Sequence, residues 1–473
     1  MKNIIIIIVI LLTNFIGYSQ SAESYYNSGN TKFVITDYKG SIKDYDKAIE
    51  INPSFAKAYA NRGNAKDKLA DYKGAIVDYN KAIELNPYDA EPFYYRGNTK
   101  AKLQDYAGAI VDYNKTIELN PSLAETYADR GYAKDKHADY KGAIVDYNKA
   151  IELNPYDAEP FYYRGNTKAK LQDYAGAIAD YNKAIETNPS FAEAYANRGY
   201  AKDKFADYKG AIVDCNNAIE LNPKDADAYS IRGSAKDKLA DYKGAIVDYN
   251  KAIETNPSFA EAYYNRGTTK ANLKDYAGAI EDFNKAIETN PSFAEAYYNR
   301  GCAKNEIKNY SDAIKDYNKA IELDLTIAEV YYNRGNAKIV LGDFSGSIVD
   351  YNKAIELYPS NPVAYYNRGT ANSKKKDYIK ALADYNRAIE LNPIFTEAYN
   401  KRGIINFHLE DKNGAIADFN KAIELNPKNA EFYYNRGVLK VALNQKENGC
   451  MDLSKAAALG YQKALELIKK YCN

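Results

Sequence analysis

The sequence predicts an all-α solenoid of about thirteen helix-turn-helix repeats followed by a capping helix. Two observations carry the prediction. Proline recurs every 34 residues, from Pro53, Pro87 and Pro121 through to Pro427, with Leu325 the only break. Glycine keeps the same step without a miss, from Gly29, Gly63 and Gly97 to Gly403 and Gly437. A fixed period of this size marks one supersecondary unit stacked many times. Within each period, small and apolar residues fall twice at helical spacing. Such a chain builds a long surface rather than a single pocket.

The first 19 residues stand outside this pattern. Lys2 is followed by a nearly pure isoleucine run from Ile4 to Leu12. The run is too short for a membrane-spanning helix. Its charged start, apolar middle and small-residue end are those of a secretory signal, with cleavage placed after Ser19. Abundant Ile, Lys, Asn and Tyr fit an AT-rich genome. The chain is read as an exported bacterial protein, periplasmic or secreted.

Residues 56–89 stand for the repeat. Tyr59, Gly63, Ala65 and Leu69 lie on one face of a first helix. Asp71 then breaks the run and can cap a second helix by accepting from its free N–H groups. That second helix puts Ala75, Ile76, Tyr79, Ala82 and Ile83 on one face. Asn86 and Pro87 end it, because proline cannot continue a helix interior. Serines of the inter-repeat turns, such as Ser54 and Ser190, are placed to cap the next helix. Gly63, Ala75 and Ala82 allow close helix crossing, with the rings of Tyr59, Tyr72 and Tyr79 beside it. A glycine inside a helix costs about 1 kcal/mol against alanine, so its return in every repeat implies a need for closeness.

At Tyr59, Gly63, Ala75, Tyr79, Ala82 and Pro87 the unit resembles the tetratricopeptide repeat, with Tyr in place of the family's usual Trp. The resemblance covers residues 22–463 as thirteen repeats and leaves residues 464–473 as a C-terminal capping helix. It implies a right-handed superhelix of helix pairs that binds proteins or peptides, mostly on a concave face lined by each first helix. Two departures stand out. Arg precedes the repeat glycine in twelve repeats, from Arg62 to Arg436, and Asp stands just before the second-helix aromatic position in all thirteen, from Asp44 to Asp452. Two rows of opposite charge suggest a paired ladder, since the guanidinium fork suits a carboxylate. Arg266 is expected near Asp282, and Arg300 near Asp316. Lys66 and its equivalents replace a common Tyr and are expected to lay their stems on apolar surface with the ammonium in water.

The search for chemistry is short. The chain carries 64 Lys and Arg against 63 Asp and Glu, a net charge of +1. Charges of both signs alternate over short distances, without the basic stripe of a nucleic-acid binder. His137 and His408 lie far apart, with no ligand partner at metal spacing. No Ser or Cys has a nearby His, and no phosphate loop appears. No cofactor, metal or catalytic residue is assigned, and the chain is read as a non-enzyme. Cys215 and Cys302 look like single substitutions within the repeat. Cys450 and Cys472 lie in the atypical C-terminal end, where a bridge could staple the last helices, although spacing does not fix pairing.

Residues 90–123 and 158–191 are almost identical, so the array grew by duplication, which suits a modular scaffold. Its most informative surface is the motif Tyr-Tyr-Asn-Arg-Gly at 263–267, 297–301, 331–335 and 365–369. The family resemblance places the second Tyr and the Asn on the concave side. The candidate partner-binding residues are Tyr264, Asn265, Tyr298, Asn299, Tyr332, Asn333, Tyr366 and Asn367. Asn can bond a peptide backbone, and Tyr offers rigid contact area with a polar tip. Packing between neighbouring first helices is the competing account of the tyrosines. One subclass of the family grips a C-terminal carboxylate with Lys and Asn, but Glu261, Glu295 and Glu329 begin the same helices here and would repel it. The expected partner is a protein or extended peptide. The alternative is carbohydrate, since rows of Tyr and Asn also suit sugar rings.

Overall fold

The computed structural model describes residues 21–472. The expected signal segment, residues 1–19, lies outside the described residues. Among the described residues there are twenty-seven helices and no strand. They fall into two units divided between Ala240 and Asp241. The first unit holds repeats 1 to 6, which begin at residue 22, and the first helix of repeat 7, Ala226–Lys238. The second holds Tyr242–Thr255, repeats 8 to 13 and a terminal helix, Lys463–Tyr471. Within each unit, where both helices of a repeat lie in it, the second helix packs on the first, and second helices pack on the first helix of the following repeat.

Repeat 2 shows why these residues fold this way. Its helices are Ala56–Lys68 and Tyr72–Leu85. The Asp71 carboxylate accepts from the Gly74 N–H at 3.0 Å, capping the second helix as its position predicts. Between the helices Ala70 takes a left-handed backbone, φ 61°. The Asp71 N–H then reaches back to the Lys66 carbonyl at 2.9 Å and the Ala70 N–H to that of Asp67 at 2.9 Å, which closes the end of the first helix. After the second helix, the Asn86 side chain accepts from the Tyr88 N–H at 3.3 Å and holds the inter-repeat turn.

The serines do not cap as expected. Helices beginning at Ala56 and Ala192 follow Phe55 and Phe191, which offer no side-chain cap bond. Ser54 and Ser190 sit one residue too early. Their own N–H groups instead donate to Asn52 and Asn188, each at 3.1 Å.

The core is built from small residues and, in most repeats, one second-helix ring, with Cys215 and Leu453 at that place in repeats 6 and 13. Ala65, Ala75 and Ala82 are fully buried, as is Tyr79. A Cβ placed on Gly63 would lie 2.8 Å from Tyr79 Cε1 and 3.2 Å from the Ala75 carbonyl oxygen. This is the closeness that the glycine period implies. Tyr59 and Tyr72 are only half-buried. Repeat 9 departs where Leu325 replaces proline. Its second helix ends at Glu322, and Asp324 turns the chain through a left-handed conformation, φ 72°.

In the terminal segment the sequence spaces Tyr461, Ala464, Leu465, Ile468 and Tyr471 as one apolar stripe, and the structure turns only part of it inward. Ala464 is buried, and Tyr461, Leu467, Ile468 and Cys472 pack beside it. Leu465 and Tyr471 face outward, 49% and 39% exposed. The bridge between Cys450 and Cys472 joins this helix to the second helix of repeat 13 and helps set which side turns inward.

Candidate functional site

The charged rows form the ladder expected of them. Arg266 Nε and a terminal nitrogen donate to the two oxygens of Asp282 at 2.9 and 2.5 Å. Arg300 holds Asp316 in the same fork, at 3.0 and 2.6 Å. The carboxylates are buried: Asp282 is 3% and Asp316 4% exposed. Each guanidinium also lies over the aromatic ring three residues earlier, as Arg300 does over Tyr297 at 5.3 Å. The geometry is that of a bidentate, charge-assisted pair.

Two members of this network escaped the sequence reading. The remaining Arg nitrogen reaches the second helix of the preceding repeat. Arg300 donates there to Asn284 at 2.7 Å, and Arg62 to Asp46 at 2.6 Å. One Arg therefore ties two repeats together. The signal was the Asn, or Asp46 in repeat 1, that follows the second-helix aromatic position. The lysines are the other addition. Lys66 Nζ sits 2.8 Å from Asp78, and Lys304 the same distance from Asp316. Their ammonium groups turn inward to the buried carboxylate instead of staying in water. At repeats 11 and 12 this arm is Asn372 or Asn406, which donates to Asp384 at 3.0 Å or to Asp418 at 2.9 Å. Burial pushes the Asp418 carboxyl above its ordinary range, even against the bonds from Arg402 and Asn406. These acids are saturated with donors, so they serve cohesion and offer no proton-transfer pair.

The eight candidate residues are all half-buried on the first helices. Tyr264 packs on Phe283 and Phe293, with ring centres 6.0 and 4.8 Å apart. Tyr298, Tyr332 and Tyr366 pack likewise on Tyr317, Tyr351 and Tyr385. The asparagines then link successive repeats. Asn299 donates to the Tyr264 hydroxyl at 2.8 Å, Asn333 to Tyr298 at 3.0 Å and Asn367 to Tyr332 at 3.0 Å. The structure thus brings the row together as one polar spine along the first-helix face of the second unit. The same bond recurs elsewhere, from Asn61 to Tyr26 and from Asn197 to Tyr162.

At repeat 4 the link is reversed. Asp129 stands where Asn is usual, and the Tyr94 hydroxyl donates to it at 2.9 Å. Burial raises the Asp129 carboxyl to about 6; the Tyr94 bond opposes the rise, while Glu125 and Glu159 add to it.

His137 and His408 are exposed at the ends of first helices, and His408 stacks on Tyr378 at 4.8 Å. Among the described residues no group of His, Cys, Asp or Glu is arranged to hold a metal ion. Nor is any described helix long and apolar enough to cross a membrane. Cys215 is buried as a free thiol whose pKa burial drives strongly upward, which leaves it unreactive. Cys302 accepts from Tyr317 and Asn333, each at 3.7 Å.

Three models of tetratricopeptide repeats match the chain. One covers residues 56–89, 260–293, 294–325 and 362–395. A second covers 37–70, 139–172, 165–203, 238–274, 335–376 and 409–444, and a third 192–225. No curated protein matches. Among solved structures, the APC/C hetero-tetramer Cut9-Hcn1 is 15% identical, with 96% of each chain covered and a TM-score of 0.44. YrrB, described as a TPR protein with an unusual peptide-binding site, is 26% identical over 39% of this chain and 95% of its own, with a TM-score of 0.34. A MamA protein is 30% identical over 36% of this chain and 94% of its own, with a TM-score of 0.33. The family matches extend over most of the chain and agree with its helix pairs, and the chain belongs to the tetratricopeptide repeat family.

Proposed function

We propose that the chain is an exported, non-catalytic scaffold that binds a protein or extended peptide along its first-helix face, with the Tyr-Asn row of repeats 8 to 11 as a contact strip. The observation that carries this reading is the unbroken spine from Tyr264 to Asn367. It repeats one polar pair along a face, as an extended backbone presents one amide per residue. Asn299, Asn333 and Asn367 each commit an N–H to the Tyr of the preceding repeat. The leader-like N-terminus supports export. So does the Cys450–Cys472 bridge, a bond that persists in oxidising compartments.

The test starts with capture of a partner from the exported fraction by the mature chain. Asn299→Ala and Asn333→Ala should each weaken its binding by about 0.5–1.5 kcal/mol while helicity is kept. Because Ala also breaks the link to Tyr264 or Tyr298, Asn→Asp at both positions serves as control. Tyr94 and Asp129 show that the link survives that exchange. Unchanged affinity in both variants would place the contact on another face. Binding of neutral oligosaccharides in place of protein would favour the carbohydrate alternative.

A further inference from the structure

In the first unit, the first-helix face opens into a cleft of about 420 Å³ over repeats 4 to 6. That volume lies within the range of specific ligand pockets. Tyr132 and Tyr200 flank it, 36% and 40% exposed. Every other repeat puts a non-aromatic residue at their position, for example Asn64, Asn98 and Asn166. Tyr132 meets Tyr163 edge-on, with ring centres 5.6 Å apart. The floor is fixed by bonds of its own. Asn197 donates to the Tyr162 hydroxyl at 3.0 Å and to Asn166 at 2.9 Å, and the Tyr181 hydroxyl donates to Asn166 at 2.8 Å.

The charges are polarised. Lys136 and Lys204 hold their ammonium groups 5.3 Å from the ring centres of Tyr132 and Tyr200. Among the described residues neither has a carboxylate at ion-pair distance. Asp135, the one acid in the lining, is already engaged by Thr167 and Lys170. Glu159 and Glu193 act on Tyr163 and Tyr162 from the opposite, N-terminal ends of their helices. The cleft therefore has a ring-lined middle and a basic end, and neither Glu159 nor Glu193 is among its lining residues.

The chain supplies its own comparison. Residues 90–123 nearly duplicate 158–191, so repeats 2 to 4 offer the same frame. There Asn64 stands in place of Tyr132, and Asp129 in place of Asn197. The duplicate loses one tyrosine and gains a carboxylate. The cleft's chemistry is thus local and not a demand of the fold.

We infer that this cleft takes an aromatic side chain of an extended peptide, with acidic neighbours of that side chain set against Lys136 and Lys204. Rings favour rings, and two unpaired ammonium groups at one end favour carboxylates there. The inference rests on the peptide-binding reading above and adds the class of peptide and a second site.

The test uses the full chain and fluorescein-labelled pentapeptides followed by anisotropy. The probe is Asp-Glu-Phe-Asp-Glu. Replacing its Phe by Ala, or its acids by Lys, should weaken binding at least about tenfold, and salt should weaken the parent peptide. Tyr132→Asn with Tyr200→Asn, which installs the residue the fold already uses at Asn64 and Asn98, should cost at least about fivefold with helicity unchanged. Lys136→Gln with Lys204→Gln should narrow the gap between acidic and basic peptides. Equal binding of the two peptides, or full binding by the tyrosine variant, overturns the inference. So does cellohexaose binding in the cleft while no peptide binds. A partner held normally by the tyrosine variant but lost by the Asn299 and Asn333 variants would sink this cleft alone. Failure of every peptide together with failure to capture any protein would sink the general reading as well.

Discussion

A single Asp shows how finely one residue sets the state of this face. Asp129 occupies a place that elsewhere holds Asn, beside Glu125 and Glu159. Its folded pKa, about 6, lies above the ordinary value of 3.8. The native state therefore binds this proton more readily than the unfolded chain. Stability from this site is gained as pH falls through about 6, and the penalty stands in full above it. Asp129→Asn should remove the penalty and let the amide donate to Tyr94, as Asn61 donates to Tyr26. The expected gain is on the order of 1–2 kcal/mol at pH 8, and it should fall to roughly half of that at pH 5, because the penalty is lost only as pH drops from about 6 to 3.8. Denaturant melts of the two proteins at both pH values measure this; a gain independent of pH would mean that Asp129 is not the titrating group. The ladder was legible at this scale because Arg and Asp recur at one offset in every repeat. The lysine arm was not, because a Lys stem can run to solvent or to a neighbour with the same spacing. Only the buried carboxylate, invisible in one dimension, decides between them.

Among elements, the turn inside each repeat carries the clearest strain. Ala70, Ala138, Ala206 and Ala240 all lie in the left-handed region, with φ between 61° and 65°. A Cβ there crowds the following carbonyl at a cost of about 1–2 kcal/mol. Repeat 10 solves the same turn with Gly342, φ 82°. Ala70→Gly should therefore stabilise the array by about 0.5–1 kcal/mol, less than the full strain because glycine also loosens the unfolded chain. Thermal melts of this variant and of Ala138→Gly should show similar gains, and a loss would mean that Ala70 makes a contact worth more than the strain. Helix boundaries were readable because Asp71 and Asn86–Pro87 punctuate them chemically. The serine caps were misread because the helix starts two residues after Ser54, a difference that period alone does not resolve. The terminal helix was found, but its register was not, because the periodic array ends there and the bridge to Cys450 replaces it as a guide.

Within each of the two units, each repeat is held by itself and its neighbours, through the core and through Arg groups that join consecutive second helices. Stability in such an array is close to a sum of local and nearest-neighbour terms, so damage stays near its source. That is why the periodic fold could be read from sequence while the cleft of repeats 4 to 6 could not. The cleft arises where Tyr132 and Tyr200 break the period, and their meaning depends on rings from three successive repeats. The C-terminal end tests this locality. Cys450 and Cys472 close a loop across the last two helices, at a sequence separation of 22. By the loop-entropy argument a bridge of this span contributes about 3 kcal/mol. The terminal helix otherwise rests on Ala464, Leu467 and Ile468 against a single partner helix pair. Replacing both cysteines by serine should thus expose residues 446–471 to hydrogen exchange well before the rest of the chain. Exchange in repeats 2 to 5 should match that of the parent protein, because no contact carries the loss so far. Exchange that rose evenly along the chain would instead mean that the repeats unfold as one cooperative block.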